Sequence, residues 1–397
     1  MALKDHATSI KIAVIFLSLG FLVTAYYFFA FHAVNSSPED ARATVEVASS
    51  TLERSGSPSA HDVPAGATDN LWKIHAPKTF FLPSDCAHTH SLITADNYIF
   101  GGIWSQSISS CIWRLNPNTG GIVYTTSSLS GVRVGGDHML YDKARDTIYA
   151  IETNPATYIL AINPRTLSAT SYPINIDEPA MSLPSMTSDG SYFYAVNNTS
   201  YPADSLLYKI SMDDYSIVAT SILPGGNYHA ITYDGHYLYM TSAYPGGYIL
   251  KADMNLKIID TSNYARSKLC NNYTNDMAET GGYLYLGCEI GFYGVRVDKD
   301  NFENHSLIYA GGSQFAATYN GKYILYGTYS GVSYDKILVL DPATLKSFMV
   351  KVDDGSPNEI VDDGTNLFAT IWKTNRIIMF STIINSGGAM KVLSSKI

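Results

Sequence analysis

Imidazole, carboxylate and amide side chains recur at one point of a phrase that this chain repeats. Five residues before each of seven turn signals stand His90, Asp137, Pro184, His229, Asn275, Phe315 and Asn358. The positions that follow are Ser91, His138, Ser185, Ala230, Asp276, Ala316 and Glu359. If the repeats close into a ring, these two registers converge and bring three His, two Asp, two Asn and a Glu around one axis. Such a set can ligate a divalent metal ion, with His90, Asp137 and His229 as the candidate ligands and His88 close by. It can also serve as an acid/base pair for a small polar substrate. Pro184 and Phe315 interrupt the ring, which argues against a symmetric ion site. A plainer reading stands beside these: strand starts at the wet mouth of a channel favour Asp, His and Asn for turn hydrogen bonds alone.

The elements that must position these residues follow from the repeat itself. A phrase of roughly 40–47 residues recurs from Cys86 to the C-terminus, a spacing typical of four-stranded propeller blades. Each copy has an apolar run, an Asp-Gly-like turn and an aromatic-rich strand. The clearest are Asp189-Gly190-Ser191-Tyr192-Phe193-Tyr194, Asp234-Gly235-His236-Tyr237-Leu238-Tyr239, Asn320-Gly321-Lys322-Tyr323-Ile324-Leu325 and Asp363-Gly364-Thr365-Asn366-Leu367-Phe368. Weaker copies lie at Ala95-Asp96-Asn97-Tyr98, at Thr280-Gly281-Gly282-Tyr283, and at Asp142 before Thr147-Ile148-Tyr149. A third strand such as Ile337-Leu338-Val339-Leu340 leads into Asp341-Pro342, the residue pair a type I turn prefers. The expected fold is all-β: a seven-bladed β-propeller of four-stranded antiparallel blades over 71–397.

Ring closure leaves two candidates for the outer strand of the seventh blade. One is Lys78-Thr79-Phe80-Phe81-Leu82-Pro83, whose ending resembles Ser221-Ile222-Leu223-Pro224; the other is Ala389-Met390-Lys391-Val392-Leu393. The first would staple the two ends of the chain together. The 30 Tyr concentrate in second strands, where aromatic rings suit a half-buried pleated surface.

Ahead of the repeats, residues 1–11 carry Lys4 and Lys11, and an uncharged apolar run from Ile12 to Val34 is long enough to cross a bilayer as a helix. The positive-inside rule places the N-terminus in the cytoplasm, and Tyr26, Tyr27, Phe28, Phe29 and Phe31 would form an aromatic belt at the far interface. The alternative is a secreted protein cleaved after Val23-Thr24-Ala25. Either way the propeller leaves the cytoplasm. Residues 35–70, rich in Ser, Ala, Pro, Gly and Glu, read as a flexible tether with a reach on the order of 30 Å.

Four cysteines in a chain bound for an oxidising space read as disulfides. On the repeat, Cys86 and Cys270 precede first strands, Cys111 begins a third strand and Cys288 ends a second. All four therefore fall on one propeller face, and the expected pairs are Cys86–Cys111 and Cys270–Cys288. Sequons occur at Asn35, Asn197, Asn198, Asn272 and Asn304, about as many as chance gives, so they do not diagnose a glycoprotein. They would be surface positions in a source that glycosylates.

Several function classes are excluded or unsupported. Net charge is −9 and no Lys/Arg run stands out, so the electrostatic footprint of nucleic-acid binding is missing. There is no Gly-x-Ser-x-Gly, His-Glu-x-x-His, Gly-x-x-x-x-Gly-Lys or Cys-x-x-Cys pattern. Gly135-Gly136, Gly225-Gly226 and Gly311-Gly312 precede strands and not helices, so they read as tight inter-blade loops.

Ile337–Leu345 (ILVLDPATL) and Ile159–Leu167 (ILAINPRTL), each with its Asp-Gly-like turn and Tyr-rich strand, resemble the YVTN, quinoprotein-like family of seven-bladed propellers over about residues 80–395. Phe193-Tyr194-Ala195-Val196-Asn197 is the nearest echo of the family phrase. The resemblance implies architecture and no single activity. The expected function is a membrane-tethered extracytoplasmic binding or scaffolding module, with a protein or small-molecule ligand on the propeller face. The alternative is a propeller enzyme of lactonase or lyase type, possible with a divalent metal ion, with its site at the channel mouth.

Overall fold

The computed structural model describes residues 71–392 outside the segments 74–77, 87–88, 104–110, 126–133, 154–156, 175, 177–184, 198–203, 225–226, 243–247, 263–269, 271–273, 289–292, 311–312, 331–335, 353–354, 372–373 and 385–389. The expected anchor at 12–34 and the tether at 35–70 lie outside the described residues. Among the described residues no helix is long and apolar enough to cross a membrane.

Seven antiparallel sheets follow one another along the chain, as the repeat predicts. Blades one to seven occupy 89–125, 134–173, 185–223, 228–261, 274–309, 313–351 and 357–384. The first strand of each blade packs against the first strand of the next, and that of blade seven packs against that of blade one. The ring is therefore closed around a central channel.

The core is distributed over seven seams. Each hydrophobic cluster joins two neighbouring blades, such as Phe193 and Tyr208 with Tyr149 and Ile151, or Leu284 and Val295 with Tyr239 and Ile249. A blade buried on both faces needs strands that are apolar on both sides. Thus Leu238–Ser242 and Ile249–Ala252 are buried at every position, whereas the outer strand Ile217–Leu223 alternates between more and less exposed residues. At the seam between blades seven and one, Trp113 is fully buried and donates from Nε1 to Thr89 Oγ1 at 3.0 Å. It lies so tightly over Gly101, its partner across the strand pair, that a Cβ there would overlap the indole ring.

Both ends of the chain close the ring. Lys78–Phe81 supplies the outer strand of blade seven by pairing with 376–379, and Asn375 Nδ2 donates to Leu82 O at 2.8 Å. Met390–Val392 pairs further along the same third strand, with 382–384. Of the two candidates, the N-terminal segment fills the outer place, and the C-terminal one extends the strand beyond it. Leu71–Lys73 adds a fifth, parallel strand beside Ser347–Lys351 and covers the edge of blade six.

The turn motif has a direct physical basis. Asp189 Oδ1 accepts from the amides of Ser191 (2.8 Å) and Tyr192 (2.7 Å), while Oδ2 accepts from Tyr194 OH (2.9 Å). Gly190 adopts φ 87°, a conformation in which a side chain would be strained. Asp234, Gly235 and Tyr239 repeat the arrangement. Tyrosine serves a second purpose here. Lys209 lies 4.2 Å over the Tyr192 ring and donates to Met254 O of the next blade at 2.9 Å. Lys251 does the same over Tyr237 and reaches Lys299 O, and Arg114 over Tyr98 reaches Pro164 O and Arg165 O. Aromatic rings thus hold cations that latch one blade to the next.

Candidate functional site

The positions singled out by counting back from each turn coincide with a recurring β-bulge. Strand pairing shifts register between Thr89 and Ser91, Tyr228 and Ala230, Thr274 and Asp276, Gln314 and Ala316, and Pro357 and Ile360. His90, His229, Asn275, Phe315 and Asn358 are the inserted residues or belong to the inserted pair. In blade two the shift spans Val134 to Met139, which includes Asp137 and His138. A bulge leaves one residue unpaired and re-aims its side chain, so equivalent positions acquire equivalent orientations around the ring. The side chains of His90, Asp137 and His138, and Pro184 as a whole, lie outside the described residues.

The expectation of a wet, solvated ring needs correction for four of its members. Asn275 (6% exposed), Asp276 (6%), Asn358 (1%) and Glu359 (9%) are buried. Two of these side chains, Asp276 and Asn358, bond backbone groups of the neighbouring blade. Asp276 Oδ2 accepts from Ala317 N of blade six at 2.9 Å, and Oδ1 accepts from Met277 N at 2.7 Å. Ser185, at the same register, accepts from Ile231 N of blade four at 3.2 Å. Asn358 Nδ2 donates to Thr89 O of blade one at 3.3 Å, while Gln314 Oε1 accepts from Cys288 N of blade five at 3.2 Å. The plainer reading of polar strand starts is corrected as well: the bonds staple blades and do not cap turns. Asn275 Nδ2, Asn358 Oδ1 and Ser91 Oγ are buried without a protein partner. His229 is half-buried and engaged in interactions of its own.

Beneath the mouth, a cavity of about 360 Å³ occupies the channel. Six first strands line it, with Leu92, Met139, Tyr233, Met277, Tyr319 and Ile360 as apolar or aromatic walls. Asp276 and Glu359, from blades five and seven, meet on this cavity together with Glu279. His229, Asn275 and Asn358 are not part of its lining. Among the described residues no three His, Cys, Asp or Glu side chains gather as a metal site.

One charged network, at the blade corners opposite the mouth, has no signature in the sequence. Lys299 Nζ bridges Asp234 Oδ2 (2.7 Å) of blade four and Glu279 Oε1 (2.6 Å) of its own blade. Burial raises the Asp234 pKa, but the Lys299 ammonium and the amides of Tyr237 and His236 outweigh it and pull the carboxyl down to about 2. Burial lowers the Lys299 pKa, and hydrogen bonds to Asp234 and Glu279 outweigh that and raise it. No residue spacing announces this contact, because Lys299 sits in a third-to-fourth-strand turn and its partners in two different first-to-second-strand corners.

The disulfides form as expected, Cys86–Cys111 and Cys270–Cys288, and all four cysteines are buried on the mouth face. Their placement indicates an oxidising, extracytoplasmic environment.

No protein-family model and no curated protein sequence matches this chain. Solved structures do. A catalytically inactive virginiamycin B lyase from Staphylococcus aureus, crystallised with quinupristin, is similar at TM-score 0.60 and 12% identity, covering 78% of this chain and 99% of the lyase. The WD40 β-propeller domain of Doa1 is similar at TM-score 0.56 and 11% identity, covering 77% of this chain and 97% of that domain. Identities this low show a shared fold alone. The chain is a seven-bladed β-propeller resembling YVTN and quinoprotein-like folds.

Proposed function

We propose that this chain is a membrane-tethered, extracytoplasmic propeller that acts as a binding or scaffolding module and presents its mouth face to a partner. One observation carries the choice of scaffold over enzyme. The polar mouth residues with assigned bonds are committed to backbone groups, with both Asp276 oxygens on amides, Ser185 on Ile231 N and Asn358 on Thr89 O. A general base or metal ligand must exchange partners during turnover, whereas a side chain that accepts or donates across a seam is held in place by the ring it closes. The anchor at 12–34 and the tether at 35–70 support display at a membrane surface, and the two disulfides support the compartment.

The second reading, a lactonase- or lyase-type enzyme, is favoured by the cavity on which Asp276, Glu279 and Glu359 meet. Site-specific photocrosslinking distinguishes the two. Crosslinkers in place of Tyr293 and Pro224 on the mouth face, and of Ala343 and Asn118 on the opposite face, are introduced into the full-length chain in its native membrane. The scaffold reading expects a discrete protein adduct from the mouth face only, with melting temperature unchanged by a chelator. Adducts from neither face, together with a chelator-sensitive melting temperature, would instead favour the metal-assisted enzyme.

A further inference from the structure

The structure separates sequons that are equivalent in sequence. Asn197 is 1% exposed, and its Oδ1 accepts from Leu206 N at 2.5 Å, so the side chain closes the hairpin of blade three from inside. The expectation that every sequon lies at the surface therefore fails at Asn197, because that amide is part of the backbone pairing. Asn304 differs in every respect. It is exposed, in the turn between the third and fourth strands of blade five, on the face opposite the mouth and the disulfides. Its backbone is fixed by Asn304 N donating to Asn301 O (2.9 Å) and Asp298 N donating to Asn304 O (3.0 Å). Its Nδ2 donates to Asp298 Oδ2 at 3.2 Å.

We infer that Asn304 is an N-glycan acceptor, and that Asn197 is a sequon the folded chain cannot carry in modified form. The glycan donor is a lipid-pyrophosphate-linked oligosaccharide of the secretory compartment. Asn304 Nδ2 loses one proton and forms a bond to the anomeric carbon of the sugar. The carbon–oxygen bond to the lipid pyrophosphate breaks, the pyrophosphate leaves with the electron pair, and the proton passes to solvent. The substituted amide keeps one N–H, enough to preserve the bond to Asp298. A glycan at this turn projects from the face opposite the mouth and leaves the partner face uncovered. Such modification requires passage through an oxidising compartment, which the two disulfides indicate independently.

The test is expression of the full-length chain in a eukaryotic secretory host, with glycopeptide mass spectrometry and enzymatic deglycosylation. Glycan is expected on the Asn304 peptide and absent from Asn197. Two variants separate acceptor loss from misfolding. Asn304→Gln removes the amide itself. Ser306→Ala removes the sequon but leaves Asn304 and its Asp298 bond in place, and Ser306 Oγ has no protein partner to lose. Both should lose one glycan's worth of apparent mass on a gel, with Ser306→Ala unchanged in melting temperature after deglycosylation. A secreted, disulfide-bonded chain with an unmodified Asn304, or with glycan on Asn197, overturns the inference. So does a chain that never enters the secretory lumen.

Discussion

Lys299 is the residue whose removal should reveal the most about how this ring is held. Its ammonium is the only cation bonded to the carboxylates of Asp234 and Glu279 among the described contacts, and side-chain exposures are 14% for Lys299, 9% for Asp234 and 22% for Glu279. In Lys299→Met, Asp234 keeps two amide bonds and the Tyr239 hydroxyl but loses its counter-charge. Breaking a fully buried pair costs about 3–5 kcal/mol. The partial exposure here screens the loss, so about 2–3 kcal/mol is expected. For a domain of this size that is roughly 3–5 °C in melting temperature. The double variant Asp234→Asn/Lys299→Met should recover part of the loss, since no uncompensated buried carboxylate remains at 234.

The pH dependence is fixed by the direction of each shift. Asp234 has a folded pKa depressed to about 2, so its contribution is fully present above its unfolded value and is lost as pH falls through the folded one. Lys299 has a raised pKa, so its contribution is present below the unfolded lysine value and is lost as pH rises through the folded one. The gap between wild type and Lys299→Met should be flat from about pH 5 to pH 9 and should shrink below about pH 4. Differential scanning calorimetry across that range is the assay. A melting temperature within one degree of wild type, or a gap that does not change in acid, refutes the reasoning.

Asp276→Ala should lower stability by about 1–3 kcal/mol, because Ala317 N–H is left buried without its acceptor; a urea midpoint that does not move contradicts this. Non-reducing peptide mapping should find Cys86 joined to Cys111 and Cys270 to Cys288, and Cys270→Ala/Cys288→Ala should cost about 2–4 kcal/mol. A chain truncated to begin at Ser84 should lose the outer strand of blade seven, bare Arg376–Met379 as an unpaired edge and self-associate; a monomer of unchanged stability on light scattering and thermal melting would show that Met390–Val392 can close the ring alone.

The turn phrases made the blades legible because their chemistry is local. Asp189 and Asp234 cap amides two and three residues away, Gly190 and Gly235 supply the positive φ, and Tyr194 and Tyr239 reach back five residues. Interactions of that range are written in consecutive letters. The same locality fixed the cysteine pairing, since each pair lies within one blade and the repeat placed both partners on one face. Counting along the repeat also found the bulge positions, without indicating that they were bulges.

What the sequence by itself determined, then, is the all-β ring, its blade boundaries and its disulfides, all of which depend on contacts within a blade. Tertiary structure decided everything that passes between blades. Asp276 looks like a candidate acid or ligand in sequence, and becomes a seam acceptor only because Ala317, a blade away, brings its amide to 2.9 Å. Lys299 finds Asp234 across a seam that no spacing predicts. Lys78–Pro83 and Ala389–Leu393 are equal candidates in sequence for the outer strand of blade seven, and pairing of Lys78–Phe81 with Arg376–Met379 assigns the first. The physical reason is the same in each case. A propeller buries its core between sheets that are distant in sequence, and the partners across a seam are set by how the ring closes.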